Sequence, residues 1–233
     1  MSKNCEKGFS LAEILITLAI IGVVAALTIP LLLTQINNMR YKTEFKKLYS
    51  SIEQATISIK NDNGGSLVGL FTGATQHLKA LSMYNQYAAK MNFLVDWDDA
   101  APNPKYVEPI VTDLNGLSEG VNLDSTPYSG YHAAILNNGA LLSFDVVEPN
   151  CDDTLYIGQP ICGYIAVATE GIKGPNVIGE DIFIIYITPD HNLPAGISGD
   201  NNFIDADISC VRTDMANGSG AGCAYYVLNN KNY

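Results

Sequence analysis

The chain begins with a long apolar run that passes into a helical stripe of apolar positions. Residues 14–33 form 20 positions without a charged side chain, long enough as an α-helix to cross about 30 Å of hydrocarbon. Beyond them, the spacing of apolar residues alternates between four and three, at Tyr41, Phe45, Leu48, Ile52, Ala55 and Ile59. This spacing puts them on one face of a helix. We predict one long helix over residues 9–62, with residues 14–33 as a transmembrane span.

Residues 63–233 are predicted to form a globular domain of helices and strands, which we call the head. Apolar positions indicate an amphipathic helix over residues 74–91, with its apolar side formed by Leu78, Leu81, Tyr84, Ala88 and Met91. The stretch 95–130 is rich in Pro, Asp and Asn and too long for a simple connection, so we expect an irregular surface loop with short elements there.

Four β-rich segments follow this loop. Residues 131–136 and 140–147 flank Asn137-Asn138-Gly139, which is typical of a hairpin turn. Two further strands are expected over residues 163–169 and 181–188. An antiparallel sheet packed against the stripe of a long helix is an α+β arrangement, and this is the fold we predict.

Charge argues against one class of partner. The chain has 24 acidic and 13 basic residues, and its net charge is −11. Removing residues 1–8, treated below as a leader, leaves 23 acidic and 11 basic residues and a net charge of −12. A surface of this kind cannot collect many phosphate contacts, so bulk nucleic-acid binding is not expected.

The cysteines indicate an oxidising compartment. Cys5 lies near the start, whereas Cys151, Cys162, Cys210 and Cys223 lie in the head. Four cysteines allow three disulfide connectivities, of which we choose the local one, 151 with 162 and 210 with 223. Zinc is the alternative, but these spacings lack the histidine pair that finger-type sites use.

A short motif precedes the apolar run. In Lys7-Gly8-Phe9-Ser10-Leu11-Ala12-Glu13, a Gly–Phe junction stands directly before a lone carboxylate. Counting from Phe9, Glu13 is the fifth residue and Pro30 is the twenty-second. This arrangement resembles the cleavage and methylation motif of the type IV pilin and type II secretion pseudopilin superfamily.

The resemblance implies a pathway. A prepilin peptidase and methyltransferase would remove the leader, residues 1–8, by cutting after Gly8, and would methylate the amine of Phe9. Residues 14–33 would then form a filament core. The expected partners are further copies of the chain, other pilin-like subunits, the inner-membrane assembly machinery and the membrane itself. The subunit would begin as a single-pass inner-membrane protein with an extracytoplasmic head and end in a periplasmic or cell-surface filament.

Glu13 and Pro30 each allow two interpretations. Glu13 with Ser10 fits a capping box, in which the carboxylate accepts from the Ser10 backbone N–H. In the family it would instead pair with the Phe9 amine of a neighbouring subunit, and the two roles are compatible. Pro30 removes one helical hydrogen bond and so would loosen the span, although membrane helices tolerate such prolines.

Two head segments extend the resemblance. The turn at 171–181, with Gly174-Pro175-Asn176, is similar to a turn in a bacterial group of pilin-like proteins, and the cysteine-containing tail from Gly222 is similar to theirs. An Asp and an Asn commonly precede that turn, but Ala168 and Glu170 stand there in this chain. The sequence therefore does not favour a metal or polar staple at the turn.

No enzymatic site is predicted. The three histidines are scattered and accompany no nucleophile or metalloprotease motif. The oxygen-rich loop holding Asp200, Asp205 and Asp207 contains possible Ca²⁺ ligands, but its spacing is not that of an EF-hand. Acidic loops are also explained by solvation, so we predict no cofactor and keep Ca²⁺ as the alternative.

Two other classes of function stay open. A signal-anchored extracytoplasmic binding module would keep its span and never polymerise. A secreted protein would lose an ordinary signal peptide near Val24-Ala25-Ala26, although the apolar run continues through Leu33. The basic residues give a discordant topology signal, because Arg40, Lys42, Lys46 and Lys47 follow the span and only Lys3 and Lys7 precede it.

Overall fold

A computed structural model describes residues 10–97, 111–116, 131–154, 158–197, 210–211, 220–231 and 233. It has an α+β layout in which a long N-terminal apolar helix precedes an antiparallel six-stranded sheet. Two compact units divide after Arg40, inside the long helix. The predicted leader, residues 1–8, lies outside the described residues.

Helix α1 spans Leu11–Asp62. It begins after Ser10 and ends where Gly64 and Gly65 adopt positive φ and the Gly65 N–H donates to the carbonyl of Lys60 at 2.8 Å. Glycine has no Cβ and therefore adopts a positive φ at little cost. The predicted stripe of six apolar residues over positions 41–59 is buried in the second unit, and Thr56 is buried with it.

Six strands form the sheet in the order of the chain. They are β1 (Phe93–Trp97), β2 (His132–Leu136), β3 (Leu141–Val146), β4 (Gly163–Ala168), β5 (Ile182–Ile187) and β6 (Asn192–Pro194). All neighbouring pairs are antiparallel. The predicted hairpin is confirmed as β2 and β3, and Gly139 takes the positive φ of 93° that the turn requires.

One face of the sheet receives the helices. Paired residues of an antiparallel sheet point to the same face, and the register aligns Leu142 of β3 with Val167 of β4 and Phe183 of β5. The Phe183 ring stacks on Phe45 of α1, with centroids 4.3 Å apart. Helix α2 (Gln76–Ala88) lies beside this contact, and its Tyr87 ring is 5.6 Å from Phe144 of β3.

Two disulfides fasten the loops of the head. They join Cys151 to Cys162, which precedes β4, and Cys210 to Cys223, which begins helix α3 (Cys223–Leu228). These are the local pairs chosen from the sequence. Each closes a short segment, with separations of 11 and 13 residues, and so limits the freedom of the unfolded chain.

One predicted residue of α2 was wrong, and three short elements of the head were not predicted. The buried face of α2 is formed by Ala80, Met83, Tyr84 and Tyr87, whereas Leu78 is 44% exposed. The predicted Tyr84 is buried, and Tyr87 is buried beside it because its hydroxyl has a partner on α1. The predicted loop 95–130 begins inside β1, an edge strand with an irregular register between Phe93 and Val95. The short elements β6 and α3 were not predicted.

Candidate functional site

The first turn of α1 holds the lone carboxylate. The Ser10 backbone N–H donates to Glu13 Oε2 at 2.8 Å, and the Ser10 hydroxyl donates to the same oxygen at 2.9 Å. The Glu13 backbone N–H lies 3.3 Å from Ser10 Oγ in return. These are the reciprocal contacts of a capping box. The local interpretation of Glu13 is therefore realised within one chain, and pairing with a second chain stays a prediction.

The helix that follows is apolar on all sides. All sixteen large apolar side chains of residues 11–39 are exposed, from 42% at Ile14 to 77% at Leu11. By length and composition, α1 is the one helix in the described part of the chain that could cross a membrane. An apolar surface of this size on a soluble protein would require a covering. Lipid, other protein chains or both must supply it.

Polar groups within the apolar run are satisfied by the helix itself. The hydroxyl of Thr17 donates to the carbonyl of Ile14 at 2.9 Å, and that of Thr28 donates to the carbonyl of Val24 at 2.9 Å. Thr34 does the same to Pro30, at 3.1 Å. A hydroxyl without a hydrogen-bond partner costs free energy in hydrocarbon. These contacts therefore make the apolar run compatible with a lipid environment.

Pro30 lies inside α1, and the helix continues through it to Asp62. Proline has no backbone N–H, so the carbonyl of Ala26 loses its usual donor. Gly22, one further position of low helix propensity, has open space where a side chain would begin. The predicted loosening of the span at Pro30 stays a prediction.

Comparison with known proteins adds to this geometry. Residues 3–29 match a family model described as the prokaryotic N-terminal methylation motif. The chain carries the signature of type IV pilins and pseudopilins. The match includes the Gly–Phe junction, Glu13 and most of the apolar run, and it stops before the head. No curated protein and no solved structure matches the chain.

Several predicted site residues lie outside the described residues. They include the pilin-type cleavage and methylation positions Gly8 and Phe9, and the possible Ca²⁺ ligands Asp200, Asp205 and Asp207. Within the described ranges, no group of three or more His, Cys, Asp or Glu side chains is arranged to hold a metal ion. The assignments at these positions therefore stay predictions.

The polar contacts that join α1 to α2 and β6 were not predicted from the sequence. The hydroxyl of Thr56 donates to the carbonyl of Ile52 at 2.8 Å, and its oxygen lies 2.7 Å from the Tyr87 hydroxyl and 3.0 Å from Asn192 Nδ2. Because the Thr56 proton is already used, Tyr87 and Asn192 donate. Burial raises the pKa of Tyr87 above its usual range. A threonine beside an apolar stripe was the available signal.

A second set of contacts ties α1 to the edge strand β6. The Tyr49 hydroxyl donates to the carbonyl of Asn192 at 2.9 Å, and the Asn192 N–H donates to Glu53 Oε2 at 3.1 Å. Burial, with the charge of Glu53, raises the pKa of Tyr49 to about 12. Both backbone groups of this edge residue are thus occupied, which protects the edge from other strands.

The turn before β5 contains a polar staple that the sequence did not favour. The buried carboxylate of Asp181 accepts from the backbone N–H groups of Val177 at 2.8 Å and Asn176 at 3.1 Å. Burial raises the pKa of Asp181 to about 6, although these hydrogen bonds oppose the shift. Asp181 is the last residue of the turn and binds its backbone directly. The staple therefore does not need the Asp and Asn that Ala168 and Glu170 replace.

Proposed function

We propose that this protein is a pilin-like structural subunit that matures by cleavage after Gly8 and polymerises through its apolar helix. The filament would be a type IV pilus or a type II secretion pseudopilus. Before assembly the chain would be held in the bacterial inner membrane, with its head on the extracytoplasmic side. Its role would be mechanical, exerted through partners and not through catalysis.

The observation that supports this proposal most strongly is the exposed apolar run that carries the methylation motif. Residues 41–233 form a compact unit of their own, so the head does not require the run for its core. A surface of sixteen exposed apolar side chains can serve first as a lipid-facing span and later as a contact between copies. The proposal accounts for both states with one helix.

Glu13 supports the same proposal from chemistry. Its capping contacts leave one carboxylate oxygen, Oε1, outside the Ser10 hydrogen bonds. Cleavage after Gly8 would create an amine on Phe9, and this amine is the cation that a neighbouring copy would present. A carboxylate in a low-dielectric core is favourable only when its partner is present. Pairing would therefore select subunits that are processed and in register.

Cysteine crosslinking in native membranes tests the polymer. Cys5 would leave with the leader, and the other four cysteines are in disulfides, so Ala12→Cys introduces a unique thiol into the mature chain. We expect oxidation to give dimers, and a double variant, Ala12→Cys with Ile16→Cys, to give longer ladders. A Gly8→Ala version, which blocks cleavage and carries Cys5→Ser because it keeps the leader, is the matched control and should give neither. Ladders that persist in this control, or that never form, would contradict the proposal.

A further inference from the structure

Basic residues are concentrated where the chain leaves the apolar run. Four of the 11 basic residues after the predicted leader lie within positions 40–47, where the one acid is Glu44. Positions 48–233 contain 7 basic and 21 acidic residues. The chain beyond the apolar run is therefore acidic except in positions 40–47, and this segment is the one that made the topology signal discordant.

The fold joins this segment to the C-terminal tail. Lys42 Nζ lies 3.9 Å from the centroid of the Tyr233 ring, and Lys46 Nζ donates to Asn230 Oδ1 at 2.5 Å. Lys231 Nζ is 5.1 Å from the ring centroids of two further tyrosines. We define the basic–aromatic patch as Lys42, Lys46, Lys231, Tyr225, Tyr226 and Tyr233.

The neighbouring acid lies away from this patch. Positions 42 and 46 are one turn apart on the same side of α1, whereas position 44 is about 200° around the helix from position 42. Glu44 Oε1 forms a salt bridge with Lys47 Nζ at 2.7 Å. The patch therefore brings three ammonium groups together with three tyrosine rings, which are neighbours at centroid distances of 6.4 Å (Tyr225 and Tyr226) and 6.2 Å (Tyr226 and Tyr233).

We propose that the basic–aromatic patch binds the headgroups of anionic phospholipids in the bilayer that the apolar run crosses. Ammonium groups complement lipid phosphates, and tyrosine rings favour the interface between hydrocarbon and water. Lys42 is nine residues beyond Leu33, so the chain places the patch near the end of the predicted span. Two of the four discordant basic residues, Lys42 and Lys46, then belong to a lipid-binding surface, which gives them a role other than orientation.

An acidic surface on a neighbouring copy is the competing occupant. The lipid is favoured because the patch follows the span directly in the chain and because half of its members are aromatic. The proposal rests on membrane insertion of the apolar run, and it does not depend on filament formation. Failure of insertion would appear as protein that does not float with liposomes, which is distinguishable from failure of the patch.

Lysine modification in liposomes provides the test. The full chain is reconstituted at low density into bilayers that are either zwitterionic or contain anionic lipid, and amine modification is followed by mass spectrometry. Because one basic residue at an anionic surface corresponds to a factor of about five in binding, modification of Lys42, Lys46 and Lys231 should slow by about this factor. Lys79 and Lys173 are internal controls and should not change.

A charge variant provides the second readout. In the wild type, anionic lipid should slow hydrogen exchange of the backbone amides in residues 225–231. The triple variant Lys42→Gln, Lys46→Gln, Lys231→Gln should lose this difference, whereas Lys60→Gln, Lys79→Gln, Lys173→Gln removes equal charge elsewhere and should keep it. Thermal unfolding of both variants checks that the head stays folded.

Two results would overturn the proposal. One is equal modification of the patch lysines in both bilayers, with the protein inserted. The other is protection that depends on protein density and not on lipid charge, which would assign the patch to a neighbouring copy. High salt provides a check on the supporting result: at about 1 M the screening length falls to about 3 Å, so lipid protection should largely disappear.

Discussion

The two parts of α1 are continuous in the chain but differ in what covers them. In residues 11–39 every large apolar side chain is exposed, whereas Phe45 and Ile52 are 0% exposed in the head. The first part is apolar around its whole circumference, and the second has an apolar stripe. The periodicity of the pattern, more than its apolar content, therefore indicates whether a helix is covered by its own chain or by its surroundings.

Threonines show the same difference. Thr17, Thr28 and Thr34 donate to carbonyls of their own helix. Thr56 also bonds to its own helix but additionally accepts from α2 and β6. Threonine thus bonds within its own helix in the first part, whereas in the second part Thr56 connects α1, α2 and β6.

The largest effect should come from Glu13 in the first part. Removing one member of a buried charge pair costs about 3–5 kcal/mol, so Glu13→Gln should reduce the crosslinked ladders by at least about a hundredfold. Thermal unfolding of the head should not change. Ser10→Ala is the matched control, because it weakens the local cap and keeps the carboxylate. Equal loss in both variants would show that Glu13 acts through the cap alone.

A substitution in the core should instead change the unfolding of the head. Phe45→Ala removes the ring stacked on Phe183 and should lower the free energy of unfolding of the head by about 3–5 kcal/mol. Ile21→Ala, in the exposed run, should change it by less than about 0.5 kcal/mol. Urea unfolding followed by tyrosine fluorescence measures both. A large effect of Ile21→Ala on the head would contradict the division into two units.

Thr56 tests the connection between α1, α2 and β6. Thr56→Val keeps the shape of the side chain but leaves the Tyr87 hydroxyl and Asn192 Nδ2 without their acceptor, which should cost about 1–3 kcal/mol. Thr28→Val is the matched substitution in the first part and should leave the unfolding of the head unchanged. Similar unfolding midpoints for the two variants would show that the buried contact does not stabilise the head.

The last expected effect concerns pH and Asp181. Its pKa is raised to about 6 in the folded head, above an unfolded value of about 3.9. The folded state therefore holds a proton that the unfolded state releases, so this group loses stabilising free energy as the pH rises from about 4 to 6. Relative to Asp181→Asn, the wild type should be less stable at pH 7 than at pH 4. Unfolding free energies of both proteins at several pH values measure this difference, and parallel pH curves would contradict the assignment.

Repeating patterns allowed much of the fold to be predicted. The stripe from Tyr41 to Ile59, the hairpin at Gly139 and the strands that became β4 and β5 all follow from local periodicity or turn chemistry. Strand β1 was missed because it is a five-residue edge strand with an irregular register. Strand β6 has three residues and is held by side chains of α1, which no local pattern records.

The candidate site divides in the same way. The motif around Gly8 and Glu13 is local in sequence, so it was recognised directly, and the capping contact of Ser10 followed from spacing alone. Thr56 with Asn192, and Lys46 with Asn230, are separated by 136 and 184 residues. Such pairs arise from the packing of distant elements, and the sequence gives no sign of which partners meet.

The most direct test of the account is the N-terminal sequence and intact mass of the mature protein from its native membrane. The account predicts a chain that begins at Phe9, carries one methyl group on its amine and retains the whole apolar run. An intact Met1 would favour an anchored binding module, and a chain beginning near Leu27 would indicate an ordinary secreted protein. Either of these two results would contradict assembly through Glu13.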